Sequence, residues 1–370
     1  MIRILRIVGY LYPDAVGGIE LHAFGMSRDQ ALMGHKVTVC TSRTGMSRGI
    51  ENRDGFEVRR FRPITRVLGN PVMPGLFLDL LRTKNDFDVI HAHSHLFSST
   101  NFCALSRRLG SAPLVVTDHG LRSQRVPRWL QTAYTSTIAK WTLNSADCVV
   151  CYSAHEREAL VSLGIDPERV AVIHNGINTD LFKPGERREG TNQILWIGRF
   201  NPGKAAIDLV EGFRLLVQDH PTLKLVMIGR GSQKEVIENR IRRLGLAGMV
   251  TIRDFVPNTD LPGIYEASDA FVLPSITEGL PRTVLEAMSC SVPVVCTALP
   301  SLVEAVGRGG ILTPPHNPRA LADSISAIIS DRSFSRKMGE CGRDIVTKNY
   351  SWEDTVKKTT HLYEELIDSR

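Results

Sequence analysis

Short apolar runs bounded by turn residues alternate along the whole chain with longer stretches whose apolar positions recur at helical spacing. The runs fall at residues 2–8, 35–41, 56–61, 88–95, 114–119, 147–152 and 170–174, and again at 194–198, 223–229, 250–256, 270–274 and 293–296. Runs this short and this apolar suit strands buried on both faces. The amphipathic stretches between them suit crossover helices, so the pattern predicts α/β architecture with parallel, doubly wound sheets. One polar, Pro/Gly-containing stretch without periodicity, residues 181–192, interrupts the alternation and reads as a linker. It divides the chain into an N-terminal domain at 1–180 and a second domain at 193–348, and residues 349–370 form a last amphipathic helix.

Composition adds little beyond globularity. The 370 residues are 42% hydrophobic and 23% charged, enough for two cores and too many for one. No uninterrupted apolar run is long enough to span a bilayer, and the first residues run into a strand without a signal-peptide pattern, so a cytoplasmic protein is expected. The seven cysteines are an odd number and give no disulfide framework. Cys148 and Cys151 sit in a buried-strand pattern, with no second pair to make a metal site of them. Charge is informative through its distribution: residues 1–185 hold 22 Lys and Arg against 16 Asp and Glu, whereas residues 186–370 hold 23 of each. The first half is basic and the second balanced.

Candidate chemistry concentrates where predicted strands end. After the run at 270–274 the chain reads Ser275-Ile-Thr-Glu278-Gly279-Leu280-Pro281-Arg282, then a short helical pattern carrying Glu286. Pro281 suits a first helical position, which would leave the amides of Gly279 and Leu280 and the helix dipole facing an anion beyond the strand end. Glu278 would stand in the loop and Glu286 on the second helical turn. The plainer alternative pairs Glu286 with Arg282 one turn back and leaves Glu278 solvated. Gly198, Arg199 and Lys204 follow the run at 194–198. In a parallel sheet they would adjoin the Glu278 loop, and two cations with two helix starts describe a diphosphate site. In the first domain, Gly17 and Gly18 mark a strand-to-helix turn where the backbone can approach a ligand. His91, His93 and His95 alternate along one strand pattern, as a metal site might. Against a metal, the apolar strand core is short and His95 is expected to open the next helix. His119 ends the run at 114–119.

Glu278-x7-Glu286 opening on Glu-Gly-Leu-Pro resembles the nucleotide-sugar signature of retaining glycosyltransferases of the GT-B fold, family 4. Tyr12-Pro13-x3-Gly17-Gly18-x-Glu20, the Gly34-His35-x-Val-x-Val run, the Asn175-Gly-Ile-Asn178 segment and Gly198-Arg199 with Lys204 are similar to the same family, in the same order. The resemblance implies two facing Rossmann-like doubly wound domains with the active site in a cleft between them, the donor on the second domain and the acceptor on the first. It also implies that the last helix returns to the first domain. It implies transfer of a sugar with departure of a nucleoside diphosphate. Arg199, Lys204 and the amides around Gly279, Leu280 and Pro281 would hold the leaving phosphates, so neither a metal nor another cofactor is expected. It assigns the ribose hydroxyls to Glu286, the base to the backbone near Val256, the donor approach to Gly17 and Gly18, and the sugar to Glu278 and His119. The family's glycine after the lysine is replaced by Ala205, which leaves the course of that loop open.

Within the family, the Tyr12–Glu20 motif, His91-Ala-His93-Ser and Val116-Thr-Asp-His119-Gly-Leu look most like transferases acting on phosphatidylinositol. That ranks UDP-N-acetylglucosamine first as donor and GDP-mannose or a glucose donor next, with a lipid-linked or glycan acceptor. The basic first half fits this: Arg43, Arg48, Arg53, Arg59, Arg60, Arg62 and Arg66 crowd one segment, and Arg122, Arg125 and Arg128 precede a helix with Trp129, Tyr134 and Trp141. Such a face would dock peripherally on an anionic membrane surface, or would simply be solvated with its aromatics in the core. Two other classes stay open: a GT-B sugar-nucleotide epimerase, and a basic non-enzymatic binding protein. For the latter no nucleic acid is expected as partner, since no interleaved aromatic and basic platform is present.

Overall fold

The structure is a computed structural model and describes residues 1–45, 49–83, 85–120, 128–185 and 190–370. The chain forms two compact units. One comprises Met1–His174 with Asp354–Arg370, the other Asn175–Glu353. These divisions lie a few residues from the bounds read off the sequence. The segment at 181–192 also begins as part of the second unit, because Phe182 is buried there against Tyr265 and its carbonyl accepts from Ser289 and Arg343.

The first unit holds strands β1 (Arg3–Ile7), β2 (Lys36–Ser42), β3 (Ile50–Arg53), β4 (Phe56–Phe61), β5 (Thr65–Val67), β6 (Asn70–Val72), β7 (Val89–His93), β8 (Leu114–Thr117), β9 (Cys148–Cys151) and β10 (Val170–Val172). Eight of them make one sheet in the order β10-β9-β8-β7-β1-β2-β4-β3, parallel throughout except for β3 on the edge. β3 was not expected. Its residues Ile-Glu-Asn-Arg lack an apolar run, yet Asp54 and Gly55 after it both take positive φ, a two-residue hairpin turn of the Asp-Gly type. A second hairpin, β5–β6, turns on Leu68 and Gly69 in the same way. The sheet is packed on both faces by separate apolar clusters, one around Leu5, Ile7, Leu114 and Val149, the other around Ile4, Val37, Val39 and Val115.

Across the sheet, Arg6 of β1 is fully buried, and its two terminal nitrogens are met by neutral groups. Its guanidinium donates to Ser27 Oγ (2.8 Å), Gln30 Oε1 (2.8 Å) and the Tyr363 hydroxyl (3.1 Å). Tyr363 lies on the helix Trp352–Asp368, so the end of the chain is tied to the middle of this sheet by hydrogen bonds as well as by apolar contact.

The second unit holds β11 (Gln193–Ile197), β12 (Lys224–Ile228), β13 (Val250–Arg253), β14 (Ala270–Leu273), β15 (Val294–Thr297) and β16 (Gly310–Thr313), ordered β13-β12-β11-β14-β15-β16 and all parallel. In both sheets the strand order reverses beside the first strand, between β1 and β7 and between β11 and β14. Ligands of open α/β sheets bind outside the carboxyl ends of strands at such reversals. All seven cysteines are free, and Cys148 and Cys151 lie within β9. Among the described residues no helix is long and apolar enough to cross a membrane.

Candidate active site

At the β11/β14 reversal the loops after the two strands are stitched together. The Ile276 amide donates to the Gly203 carbonyl (2.9 Å), and Lys204 Nζ donates to Glu278 Oε1 in an ion pair whose side chains are 12% and 10% exposed. The expected neighbourhood of the two motifs is therefore present, but Lys204 and Glu278 answer each other. The Asn201 side chain accepts from the Lys204 amide, and Ser301 Oγ donates to the Glu278 carbonyl, so both ends of the pair are braced. Arg199 is exposed, and its side chain makes no hydrogen bond or ion pair with a described residue. Its loop is held from below, where the Gly198 amide donates to Ile228 O (3.0 Å) and the Phe200 amide to Arg230 O (2.9 Å). A side chain on Gly229 would run into the Gly198 carbonyl, which is why that close approach requires glycine.

Ala205 occupies the position where the resembling family has glycine, and its backbone is left-handed (φ 44°, ψ 37°). The loop keeps its turn, and the alanine carries the strain. The Ala205→Gly variant is expected to be about 1 kcal/mol more stable, since an L-residue in this region costs roughly 1–2 kcal/mol and glycine has no such penalty. A urea titration reads it. An unchanged or lowered midpoint would mean that the turn is relaxed with alanine.

The helix after the Glu278 loop begins at Arg282, with Pro281 as an extended N-cap (φ −73°, ψ 118°). The sequence pattern put Pro281 one residue too deep. The helix consequently starts at Arg282 and Thr283, while Gly279 and Leu280 belong to the preceding loop, and the Val284 amide donates to Pro281 O. Glu286 is buried rather than open. Its Oε2 accepts from the Tyr265 hydroxyl (3.0 Å), and Arg282 Nε stands 3.9 Å from Oε1, the one-turn pairing weighed as the plainer alternative. Arg282 also reaches Asn175 Oδ1 and Gly176 O, both at 3.2 Å. Burial raises the Glu286 carboxyl above its ordinary value against the pull of Arg282 and the Tyr265 hydroxyl. A raised acid binds protons more tightly folded than unfolded, so its ionisation lowers stability as pH climbs above about 4.5. Glu286→Gln should therefore melt higher than wild type at neutral pH, with the gap closing below about pH 4.5. A less stable glutamine variant at neutral pH would show that the charged form is the favoured one. Val256 lies partly buried in the loop after β13, two strands from β11 on the same carboxyl edge.

In the first unit Gly17 is the N-cap and Gly18 the first residue of the helix Gly18–Leu32. A Cβ at Gly17 would meet the carboxylate of Glu20, which folds back over the helix start, whereas the space beside Gly18 is open. His91 and His93 do share a strand face, their rings stacked with centroids 4.4 Å apart. His95 does not join them. It lies in the turn before the helix Ser98–Ser106, not in that helix, and pairs with Asp118 (2.9 Å) with both side chains fully buried. Among the described residues no group of three or more His, Cys, Asp or Glu side chains is arranged to hold a metal ion.

His119 hydrogen-bonds the Tyr152 hydroxyl through Nδ1 (3.0 Å) and His93 Nδ1 through Nε2 (3.1 Å), and His22 packs edge-on against His93 and His119. His91 Nδ1 meets the Tyr363 hydroxyl and its Nε2 meets Thr117 Oγ1 (2.6 Å). Burial holds His91, His93 and His119 well below the ordinary imidazole range, reinforced by Arg6 for His91, by His91 for His93 and by His22 for His119. The cluster therefore favours the uncharged imidazole, with His91 stacked on His93 and His93 hydrogen-bonded to His119. His22, Tyr152 and Tyr265 did not stand out in the sequence. Tyr152 and His119 share a trait that could have flagged both: each is the first polar-tipped ring after an apolar strand run.

The expected surface aromatics divide as well. Trp129 is exposed, but Tyr134 donates to His95 O (2.8 Å) and Trp141 packs on the core. Arg48, Arg122 and Arg125 and the side chain of Arg128 lie outside the described residues.

Two family models match the chain: Glycosyltransferase Family 4 over residues 16–181 and Glycosyl transferases group 1 over residues 178–345. Among curated proteins, an uncharacterized glycosyltransferase of Methanocaldococcus jannaschii is 27% identical, with 97% of each chain covered. A D-inositol 3-phosphate glycosyltransferase of Corynebacterium aurimucosum is 27% identical over 95% of this chain and 91% of its own. A phosphatidylinositol N-acetylglucosaminyltransferase polypeptide of Arabidopsis thaliana is 24% identical over 99% of this chain and 82% of its own. Among solved structures, a sucrose-phosphate synthase of Thermosynechococcus elongatus superposes with a TM-score of 0.84 at 23% identity, covering both chains fully. HepE of Anabaena, solved in complex with UDP-glucose, superposes with a TM-score of 0.81 at 21% identity, again over both chains.

Proposed function

We propose, for a chain that belongs to the GT-B glycosyltransferases of family 4, that it moves N-acetylglucosamine from UDP-N-acetylglucosamine to a lipid-linked acceptor with retention at the anomeric carbon. Mannose and glucose rank next as the transferred sugar. The observation that carries the reading is the junction of the β11 and β14 loops, where a braced Lys204–Glu278 pair stands at a sheet reversal with the unpartnered side chain of Arg199 in the same loop. The relative named for phosphatidylinositol supports a lipid-linked acceptor, the one named for D-inositol 3-phosphate supports an inositol group in it, and HepE with UDP-glucose supports a uridine donor.

Negative charge grows on the departing phosphate oxygen during transfer, and preorganised cations aimed at it lower the barrier. Arg199 supplies one such cation. Lys204 supplies the second by exchanging the Glu278 carboxylate for phosphate oxygens, which frees Glu278 towards the sugar. The amides of Gly279 and Leu280, in the loop before the helix that starts at Arg282, add backbone donors. Glu286, whose carboxylate is already oriented by Tyr265, takes the ribose hydroxyls, and the backbone near Val256 takes the base. His119 keeps the donor-sugar role that the resemblance gave it, as a neutral donor and acceptor fixed by Tyr152 and His93. No metal is needed in this scheme.

The test is product formation. The protein is incubated with UDP-N-acetylglucosamine, GDP-mannose or UDP-glucose and vesicles containing phosphatidylinositol, with and without EDTA, and the lipids are analysed by mass spectrometry and anomeric NMR. An N-acetylhexosaminyl lipid of retained configuration, formed in EDTA, is expected. Transfer from a different donor, an inverted product, or activity that chelation removes and Mn²⁺ restores would overturn the corresponding part.

A further inference from the structure

Of the arginines crowded between residues 43 and 66, three are neutralised within the first unit. Arg53 pairs with Glu51 (2.9 Å), Arg59 with Glu57 and Asp79, and Arg60, its side chain fully buried, with Asp14 and Glu51 (both 2.9 Å). Arg43, Arg62 and Arg66 line one hollow of about 580 Å³ together with Gly45 and Pro63, and of these Arg62 and Arg66 form no ion pair with a described residue. The hollow lies where β4 ends, since the Arg43 amide donates to Phe61 O (2.8 Å).

The β5–β6 hairpin rises directly from this hollow. Ile64, Val67 and Leu68, on its outer strand and turn, are 74%, 56% and 50% exposed, an unusual concentration of bare aliphatic side chains on so short a hairpin. The hairpin is not a loose flap. The Tyr10 hydroxyl donates to Gly69 O (2.7 Å), Asn70 Nδ2 to Leu96 O (2.9 Å) and Ser98 Oγ to Pro71 O (2.9 Å), which fastens its inner side to the loops after β1 and β7. Its aliphatic tip is thus held outward, at the same carboxyl edge that carries His93 and the Gly17 turn. Aliphatic side chains flanked by arginines match the boundary between acyl chains and phosphate headgroups: the tip leaves water for the apolar layer while the guanidinium groups meet phosphate.

We infer that this hairpin and the Arg43–Arg62–Arg66 hollow form the membrane-docking surface of the first unit, the hollow receiving the phosphate of an anionic phospholipid headgroup and the Ile64–Leu68 tip entering the acyl boundary. The inference rests on the proposed lipid-linked acceptor and adds the surface that brings the protein to it. It also departs from the sequence expectation, because Arg53, Arg59 and Arg60 are spent on internal pairs.

The full chain is sedimented with phosphatidylcholine vesicles with and without phosphatidylinositol, at low and high salt. Two variants are compared with wild type: Arg62→Gln/Arg66→Gln, and Ile64→Ser/Val67→Thr/Leu68→Asn, in which asparagine suits the positive φ of residue 68. Binding of UDP-N-acetylglucosamine to each variant controls for folding and for the donor site. Wild type should bind the anionic vesicles. The arginine variant should lose roughly five-fold per arginine, on the order of 30-fold, and the aliphatic variant should lose the part of binding that survives high salt. Vesicle binding unchanged in both variants that still bind donor would overturn the surface while leaving the transferase reading intact. Inositol phosphate or inorganic phosphate bound in an Arg62/Arg66-dependent way, without vesicle binding, would overturn the lipid and make the hollow a site for a soluble phosphate ester.

Discussion

Lys204→Ala is expected to lower kcat/KM by about 10²–10³-fold and to destabilise the second unit by about 3 kcal/mol. Both effects follow from the same ammonium group. In the unliganded protein it neutralises Glu278 in a pair that is nearly closed to solvent, and removing one member of such a pair leaves an uncompensated charge. In the proposed reaction it faces the departing phosphate, where losing one preorganised donor raises the barrier by about 2.7–4 kcal/mol. The two contributions separate in the double variant Lys204→Met/Glu278→Met. Its denaturation midpoint should return to near the wild-type value, because no lone charge remains, while turnover stays lost. A double variant that recovers activity along with stability would mean that the pair is a structural clasp and nothing more.

The first unit should lose stability steeply in mild acid, by up to about 4 kcal/mol per pH unit below pH 6.5. His91, His93 and His119 are all held below their unfolded value of 6.5 by burial, so between that value and their folded values the unfolded chain binds more protons. Stability from this source is complete above pH 6.5 and is lost as pH falls, each histidine adding a slope of up to about 1.4 kcal/mol per pH unit. Urea midpoints measured from about pH 7.5 to about pH 5.5 read the effect. His119→Gln should remove about a third of the slope. A flat profile over that range would mean that the stack admits protons without cost, contrary to the burial of His91 and His93 and to the repulsion from Arg6 and His22.

Much of the scaffold is readable in the sequence because it rests on local, periodic signals. Apolar runs such as 194–198 and 270–274 locate strands, and parallel order then puts the Arg199–Lys204 loop beside the Glu278 loop. What the pattern does not reveal depends on contacts between distant positions. The arginine-rich segment looks like an open basic face, but Glu51 and Glu57 within it and Asp14 and Asp79 from outside it neutralise three of its arginines, a pairing that only the fold brings together. Glu286 looks like a free carboxylate until Tyr265, twenty-one residues earlier, closes over it. Strand β3 goes unseen because an edge strand needs no apolar run, although its Asp54-Gly55 turn is written in the sequence. Ala205 stands out as a departure from glycine, and only the backbone reveals that the left-handed turn persists regardless.

The most direct test of a donor site built on Arg199, Lys204 and Glu286 is a thermal-shift titration with UDP-N-acetylglucosamine on wild type and Arg199→Ala. Arg199 is exposed and unpartnered among the described residues, so its removal leaves the unliganded melting temperature unchanged and any difference reports on the ligand. Wild type should gain about 2.7 kcal/mol of stability at a hundred times the dissociation constant, and Arg199→Ala should require at least ten-fold more ligand for the same shift. Equal shifts in the two proteins, or no shift in wild type with any nucleotide sugar, would contradict the assignment.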